Sequence, residues 1–355
     1  MKKRINWVAG LVALGMMVTL LIPTVLIGEA AESKVVNVYN WEDYISQDAL
    51  ELFTEETGIT VNMMNFTTNE DMMVQVRNSP ASFDVVFPSD YCVERLVAEG
   101  LLEEIDFLRV PNLRYIDHNL MNPAYDKENR FSVPYMWGTV GILYNTEMVD
   151  EPVTSWSTLF DPKYQNNVFM MDSIRDTMGI ALKYLGFSMN TRDPFEMDAA
   201  KNALIQQKRD GIVKAYQVDE TKDKMVAGEA ALALVWSGDA QYAIDLNEDL
   251  AYVVPSEGSN IWVDAMVIPK GARNKANAEL FIDFMCRPDV AQMNCEEIWY
   301  STPNVEAVEL MGEDYIDNLT MNPTQEIIDR CEFFSDIEDV IAIYNAMWLE
   351  IKSVK

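Results

Sequence analysis

From residue 35 onward, the chain alternates between two hydrophobic rhythms. Short apolar runs such as "VVNVYN", "ITVNMMNF" and "FDVVFPSD" predict strands, and between them apolar residues recur at helical spacing. "SQDALELFTEETG" predicts a helix with Ala49, Leu50 and Phe53 on one face and Gly58 closing it. "TNEDMMVQVRNS" opens another helix, with Thr68 or Asn69 as cap and Asp71 in the first turn. "YCVERLVAEGLLEEID" reads as a third helix and its exit. This β-α-β-α-β order predicts an α/β sheet with helical crossovers. "FSVPYMWGTVGILYN" breaks the rhythm: two extended runs with little helix signal, long enough to cross between two lobes.

A second α/β unit begins in "VTSWSTLFDPKYQNNVFMMD", and "RDTMGIALKYLGFS" is an amphipathic helix. A strand is predicted at residues 231–236, and two more in "LAYVVPSEGSNIWVDAMVIPKGA". A pair of helices follows, split near Pro288, and the tail from Thr324 to Lys355 is predicted to be largely helical. No internal repeat or low-complexity linker interrupts the pattern.

The first 31 residues follow another logic. Lys2, Lys3 and Arg4 precede an apolar run from Trp7 to Ile27, and the small residues around Glu29 predict cleavage near Ala30 or Ala31. A run of this length also suits an uncleaved membrane anchor. No Cys follows it, which argues against a lipoprotein, and either form puts the body outside the cytoplasmic membrane.

The chain has 355 residues and a net charge of −30, from 27 basic and 57 acidic side chains. Such a surface repels nucleic acid and anionic lipid, and it suits a cationic ligand. Cys92, Cys286, Cys295 and Cys331 form no CxxC pair. The one histidine, His118, lies in a polar loop, so neither a Cys/His metal site nor a His-based catalytic triad is expected. The four thiols read as mostly buried. GxSxG, GxGxxG and GxxxxGK[ST] are all absent.

What does recur is a cluster of aromatics, acids or both where a strand is predicted to end. The clusters are "NWEDY", "PSDY", "DSIRD", "WSGD", "IWVDA" and "WYSTPN". Taken singly, such a Trp is more often a packing residue and such an Asp more often a helix cap. In open α/β sheets, however, ligands sit at the carboxyl ends of strands. If the six clusters converge, they form an acidic pocket walled by rings, suited to an alkyl chain with ammonium ends. Each ring face would contribute roughly 0.5–2 kcal/mol to holding a cation. Each carboxylate would contribute on the order of 1.5–3 kcal/mol. Recognition by carboxylates implies weaker binding below about pH 4, where Asp begins to protonate.

Several segments in order resemble the extracytoplasmic spermidine/putrescine-binding proteins of ABC importers. They are "VYNWEDYIS…ELFTEETGITVN", "FDVVFPSDYCVERLVAEGLLEEID", "SVPYMWGTVGILYN", "TSWSTLFDPKY", "RPDVAQ" and "YSTPN", and the match runs from about Val35 to the C-terminus. The resemblance implies an α/β, two-lobed periplasmic-binding-protein fold, type II-like, with the ligand cleft between lobes and the crossover strands as hinge. Lobe 1 would hold residues 34–138 plus 264–308, and lobe 2 residues 139–260 plus 309–355. The family's aromatic box falls on Trp41, Tyr44, Tyr91, Trp236, Trp262 and Tyr300. Its central carboxylates fall on Asp176 and Asp264, and its serine on Ser89. Glu42 and Asp43 take positions that in relatives touch the ligand amine or its bound water.

Departures from the spermidine type bear on which polyamine is bound. Ser173 stands where that type has an Asp, and Phe334 where it has a Gln. Asp239 and Asp43 are the putrescine-type choices, whereas Tyr91 leans the other way, leaving a mixed pocket with a putrescine lean. The resemblance further implies ABC permease subunits as partners and membrane association through the permease or an uncleaved leader. It implies a monomer with no cofactor, no metal and no catalysis. Three alternatives stand beside it: a binding protein for a sugar or another amine on the same fold, a glycoside hydrolase built on a carboxylate pair, and a surface adhesin, which no feature of the chain calls for.

Overall fold

A computed structural model describes residues 33–354; the predicted leader lies outside the described residues. Among the described residues no helix is long and apolar enough to cross a membrane.

The first half of the chain builds β1 (Val35–Trp41), α1 (Gln47–Thr57), β2 (Thr60–Phe66), α2 (Asn69–Asn78), β3 (Val85–Val86) and α3 (Asp90–Ala98). Local chemistry sets these boundaries. The Ser46 side chain caps α1 by accepting from the Ala49 N–H. Gly58, at φ 68°, ends it by donating to Thr54 O, a left-handed conformation that glycine adopts without steric penalty. Ala49, Leu50 and Phe53 are the buried face, as the spacing predicts. Thr68, not Asn69, caps α2. β1 runs parallel to both β2 and β3.

β4 (Ser132–Asn145) is a single 14-residue strand where the sequence reads as two extended runs. A register shift between Pro134 and Met136 interrupts its pairing with β9 (Ile261–Val267). Its first part pairs antiparallel with β9, from Ser132 opposite Val267 to Thr139 opposite Ile261. Its last part pairs with β7 (Leu232–Trp236) and β8 (Leu250–Val253). β5 (Val168–Met171) and β6 (Val213–Gln217) complete the sheet beyond β7. The strand order is β2-β1-β3-β9-β4-β7-β5-β6, with β8 on β4. The helices of this half are α4 (Ile174–Tyr184), α5 (Pro194–Arg209), α6 (Glu220–Val226) and α7 (Ser237–Leu246), and α8 (Lys275–Met285) and α9 (Pro288–Ile298) follow β9.

The cores divide along β4. Val133, Tyr135 and Met136 pack with Phe53, Phe281 and Phe284, whereas Val140 and Ile142 pack with Trp156, Met178, Leu204 and Tyr344.

The tail departs from expectation. Helix occupies Gln325–Ile328 and Ile341–Ser353, but residues 329–340 are irregular. Their backbone groups are satisfied by distant partners instead of by helical turns. Glu332 N–H donates to Ser259 O, Ser335 N–H to Asn190 Oδ1, and Asp336 N–H to Glu94 Oε2. Arg95 on α3 also pairs with Asp336 (3.3 Å) and Glu338 (3.1 Å), so this strap ties α3 to the loop between α4 and α5. Cys92, Cys286 and Cys295 are buried, Cys331 is partly buried, and none is paired; His118 is exposed.

Candidate functional site

Strand ends position most of the predicted residues. Asp264 lies within β9, its backbone opposite Met136 of β4 and bridged to Ser89 at the start of α3. Trp262 lies two residues earlier on β9, on the same face. Trp236 ends β7 and leads directly into α7, with Asp239 in that helix's first turn. Asp176 sits in the first turn of α4, after β5, where Ser173 caps the helix.

Three rings form a continuous wall. Tyr300 meets Tyr44 edge-to-face with centroids 5.6 Å apart, and meets Trp262 in the same manner at 5.3 Å. The wall depends on a glycine. A Cβ on Gly238 would come within 2.4 Å of the Tyr300 ring, so only a residue without a side chain lets α7 approach it.

Behind the rings lies Asp264, 6% exposed. Burial raises its pKa to about 6, and the nearby hydroxyls of Ser89 and Tyr44 hold back part of the rise. Neither hydroxyl closes a well-formed hydrogen bond on Asp264 Oδ1. That oxygen, Tyr44 Oη and Trp262 Nε1 are all buried without a hydrogen-bond partner. Buried polar atoms are nearly always paired, so three orphans on neighbouring predicted residues mark a place built to receive a polar ligand.

Asp176 is also buried, and its pKa likewise rises to about 6 through desolvation. Ser173, Arg175, its own N–H and Trp236 oppose the rise. Burial raises the pKa of Asp239 too, against the pull of Lys222, whose Nζ lies 3.5 Å from Asp239 Oδ1. The Tyr91 hydroxyl accepts from Asn69 Nδ2 at 3.0 Å, and Ser89 Oγ accepts from the same amide group.

Two predicted residues sit differently. Trp41 donates from Nε1 to Phe87 O at 3.0 Å and packs on Phe66 with centroids 4.5 Å apart, a packing role. Asp43 is exposed at φ 50° on the turn after β1, as is Glu42 beside it, and no contact ties Asp43 to the other acids. Cavities of about 490 Å³ (near Leu102, Phe131 and Lys270) and 450 Å³ (near Tyr184, Phe187 and Glu257) open elsewhere and include none of the predicted residues. Tyr44 and Trp262, two of the three rings of the wall, are themselves buried, at 7% and 9% exposed.

Three residues beside the candidate site escape the sequence reading. Asp90 is fully buried and accepts from the N–H groups of Tyr91 (2.7 Å) and Val263 (3.4 Å). Burial pushes its pKa well above the ordinary range, with Asp264 adding to the rise. Arg175, 5% exposed, donates to Ser335 O and Asn190 Oδ1, and its guanidinium lies 4.3 Å from the Phe334 ring centre and 5.3 Å from that of Tyr91. Lys222 comes from α6, outside every quoted cluster. "PSDY" and "DSIRD" did contain Asp90 and Arg175, but a lone Asp there reads as a cap and a lone Arg as surface.

Residues 48–323 match the family described as bacterial extracellular solute-binding protein. The spermidine/putrescine-binding periplasmic protein of Salmonella typhimurium is 34% identical, over 97% of this chain and 97% of its own. The putrescine-binding periplasmic protein of Escherichia coli K12 is 27% identical, over 99% of this chain and 98% of its own. The solved spermidine/putrescine ABC transporter substrate-binding protein of Streptococcus pneumoniae superposes with a TM-score of 0.81 at 36% identity, covering 90% of this chain and 99% of its own.

Proposed function

The chain belongs to the bacterial extracellular solute-binding protein family, and from that premise we propose that it captures a polyamine outside the cytoplasmic membrane and delivers it to an ABC permease. The observation that carries this reading is the orphaned trio of Tyr44 Oη, Trp262 Nε1 and Asp264 Oδ1, set beside a ring wall in a strongly acidic chain. A slender polycation suits both surfaces. Its methylenes pack on Tyr44, Trp262 and Tyr300, and its ammonium groups meet Asp264 and Asp176.

No bond is made or broken in this cycle. Residues 34–138 plus 264–308 would form one lobe and 139–260 plus 309–355 the other, hinged at the crossover strands and the strap. With ligand absent, the buried carboxylates disfavour closure by desolvation and mutual repulsion. A dication removes both penalties, which is the differential contact that a ligand-driven shift requires. Ser173 and Asp239 tilt the site toward putrescine.

Titration calorimetry of the purified protein with putrescine, spermidine, spermine and cadaverine, and with a panel of sugars, tests the reading. A saturable heat with one or more polyamines and none with sugars is expected. Tight binding of a sugar, or no heat with any polyamine, overturns it.

A further inference from the structure

One end of the acidic site already holds a cation of the chain's own. Asp239 and Tyr242 stand one turn apart on α7 and therefore share a face. Lys222, reaching over from α6, puts Nζ 3.5 Å from Asp239 Oδ1 and 5.3 Å from the centre of the Tyr242 ring. A carboxylate beside an aromatic face is the same pair of surfaces that would grip a ligand amine. Asp219 and Asp223 flank the group from α6 and its approach: Asp219 bears on Asp239, and Asp223 accepts from the Tyr242 hydroxyl. Tyr300, the middle ring of the wall, also bears on Asp239, so the pair sits at the margin of the site.

Asp264 is different, for the groups that bear on it are hydroxyls and not cations. Arg175, next to Asp176, directs its hydrogen bonds to Ser335 and Asn190 and stacks on Phe334. Asp239 is therefore the one of the four predicted site acids, Asp43, Asp176, Asp239 and Asp264, that is joined to a lysine or arginine by an ion pair among the described residues.

We propose that Lys222 is a specificity-determining residue, a tethered ammonium seated on Asp239 that makes the site accept a diamine and disfavour a triamine. The inference rests on the polyamine reading above. A third ligand ammonium reaching toward Asp239 meets the like charge of Lys222 and must displace it. A two-charge ligand is complete on Asp176 and Asp264 without touching it. Discrimination thus comes from a repulsive group, not from a missing attractive one.

Calorimetry with putrescine and spermidine on the parent, Lys222→Met and Lys222→Arg tests this. The Met side chain keeps most of the stem and removes the charge. The parent prefers putrescine, and Lys222→Met raises the spermidine-to-putrescine affinity ratio by about tenfold or more, the size of one charge-assisted contact. Lys222→Arg keeps the parent ratio, and adding Asp239→Asn to Lys222→Met abolishes the gain. An unchanged ratio in Lys222→Met, with the parent melting temperature retained, overturns the proposal. An equal shift in Lys222→Arg overturns it as well, because charge would then not be the cause. A parent that binds neither polyamine fails at the earlier step and removes the functional reading itself.

Discussion

Asp84, just before β3, and Asp264, within the neighbouring β9, are both buried carboxylates, yet only Asp264 lies in the candidate site. Asp84, 1% exposed, accepts from the backbone and side-chain N–H groups of both Asn37 and Asn274, at 2.8–2.9 Å. Every donor around it is spoken for, and it stitches β1 to the start of α8. Asp264 has an oxygen that nothing answers, beside an indole and a phenol in the same condition. Burial alone therefore does not mark a functional acid. The unanswered oxygen, clustered with two other orphaned atoms, is what singles out Asp264 as a candidate ligand acid, because buried polar groups are otherwise nearly always paired.

The sharpest way to break this comparison is to neutralise each acid in turn. Asp264→Asn is expected to weaken polyamine binding by about 100-fold or more, the loss typical of removing one partner of a buried charge pair. The same change should raise the melting temperature of the ligand-free protein at pH 7.5. Folding lifts this pKa from 3.8 to about 6, so ionising the group opposes the fold. The favourable contribution is whole below about pH 4, fades between about pH 4 and 6, and is gone above, a swing of about 2–3 kcal/mol. Asp84→Asn should do the reverse, lowering stability by about 2–3 kcal/mol while leaving affinity near the parent value. Thermal melts and calorimetry on both variants decide the matter, and parallel behaviour would erase the distinction.

Next in size is the effect of pH. Asp176 and Asp264 both have pKa values of about 6, so binding should begin to weaken near pH 6 and not near the pH 4 expected for ordinary aspartates. Below pH 6 affinity should fall by about tenfold per pH unit for each acid the ligand needs ionised. Binding at pH 6 should also expel protons, seen as a calorimetric enthalpy that changes with the ionisation heat of the buffer. A flat profile from pH 7 to 5 would take these two acids out of the site.

Gly238→Ala probes the rings without touching a charge. The added methyl collides with Tyr300, and overpacking of this kind costs about 1–3 kcal/mol. Affinity should drop about tenfold as the wall shifts. The smallest effect is expected at Asp43, whose exposed carboxylate touches no other pocket acid. Asp43→Asn should change affinity by no more than about threefold, in line with exposed ion pairs. A larger loss would place the turn after β1 against the ligand.

The parts of the fold readable from the sequence are those that local chemistry decides. Ser46 and Gly58 bound α1, Thr68 caps α2, and Pro288 separates α8 from α9, because each of these signals acts on backbone a few residues away. The clusters located Tyr44, just after the end of β1, and Trp262 and Asp264, which lie within β9, whereas Tyr300 follows the end of α9 and not of a strand as expected. What escaped depends on partners distant in sequence. Lys222 matters only because α6 packs on α7, and Arg175 only because the strap presents Ser335 and Phe334 to it. The strap itself carries the polar and apolar residues of a plausible helix, yet Asn190, Ser259 and Glu94 claim its backbone first. Nor does any pattern along the chain tell Asp84 from Asp264, because the difference lies in which neighbours have already been used.

The unbroken run of β4 bears on how the protein can be taken apart. One strand lends its first residues to a core around Phe53 and its last to a core around Trp156, so no single cut liberates a self-sufficient fragment. Truncation products ending within residues 132–145 should be aggregation-prone stubs with bare sheet edges. Domain-swapping experiments with this chain should exchange whole bodies and never halves.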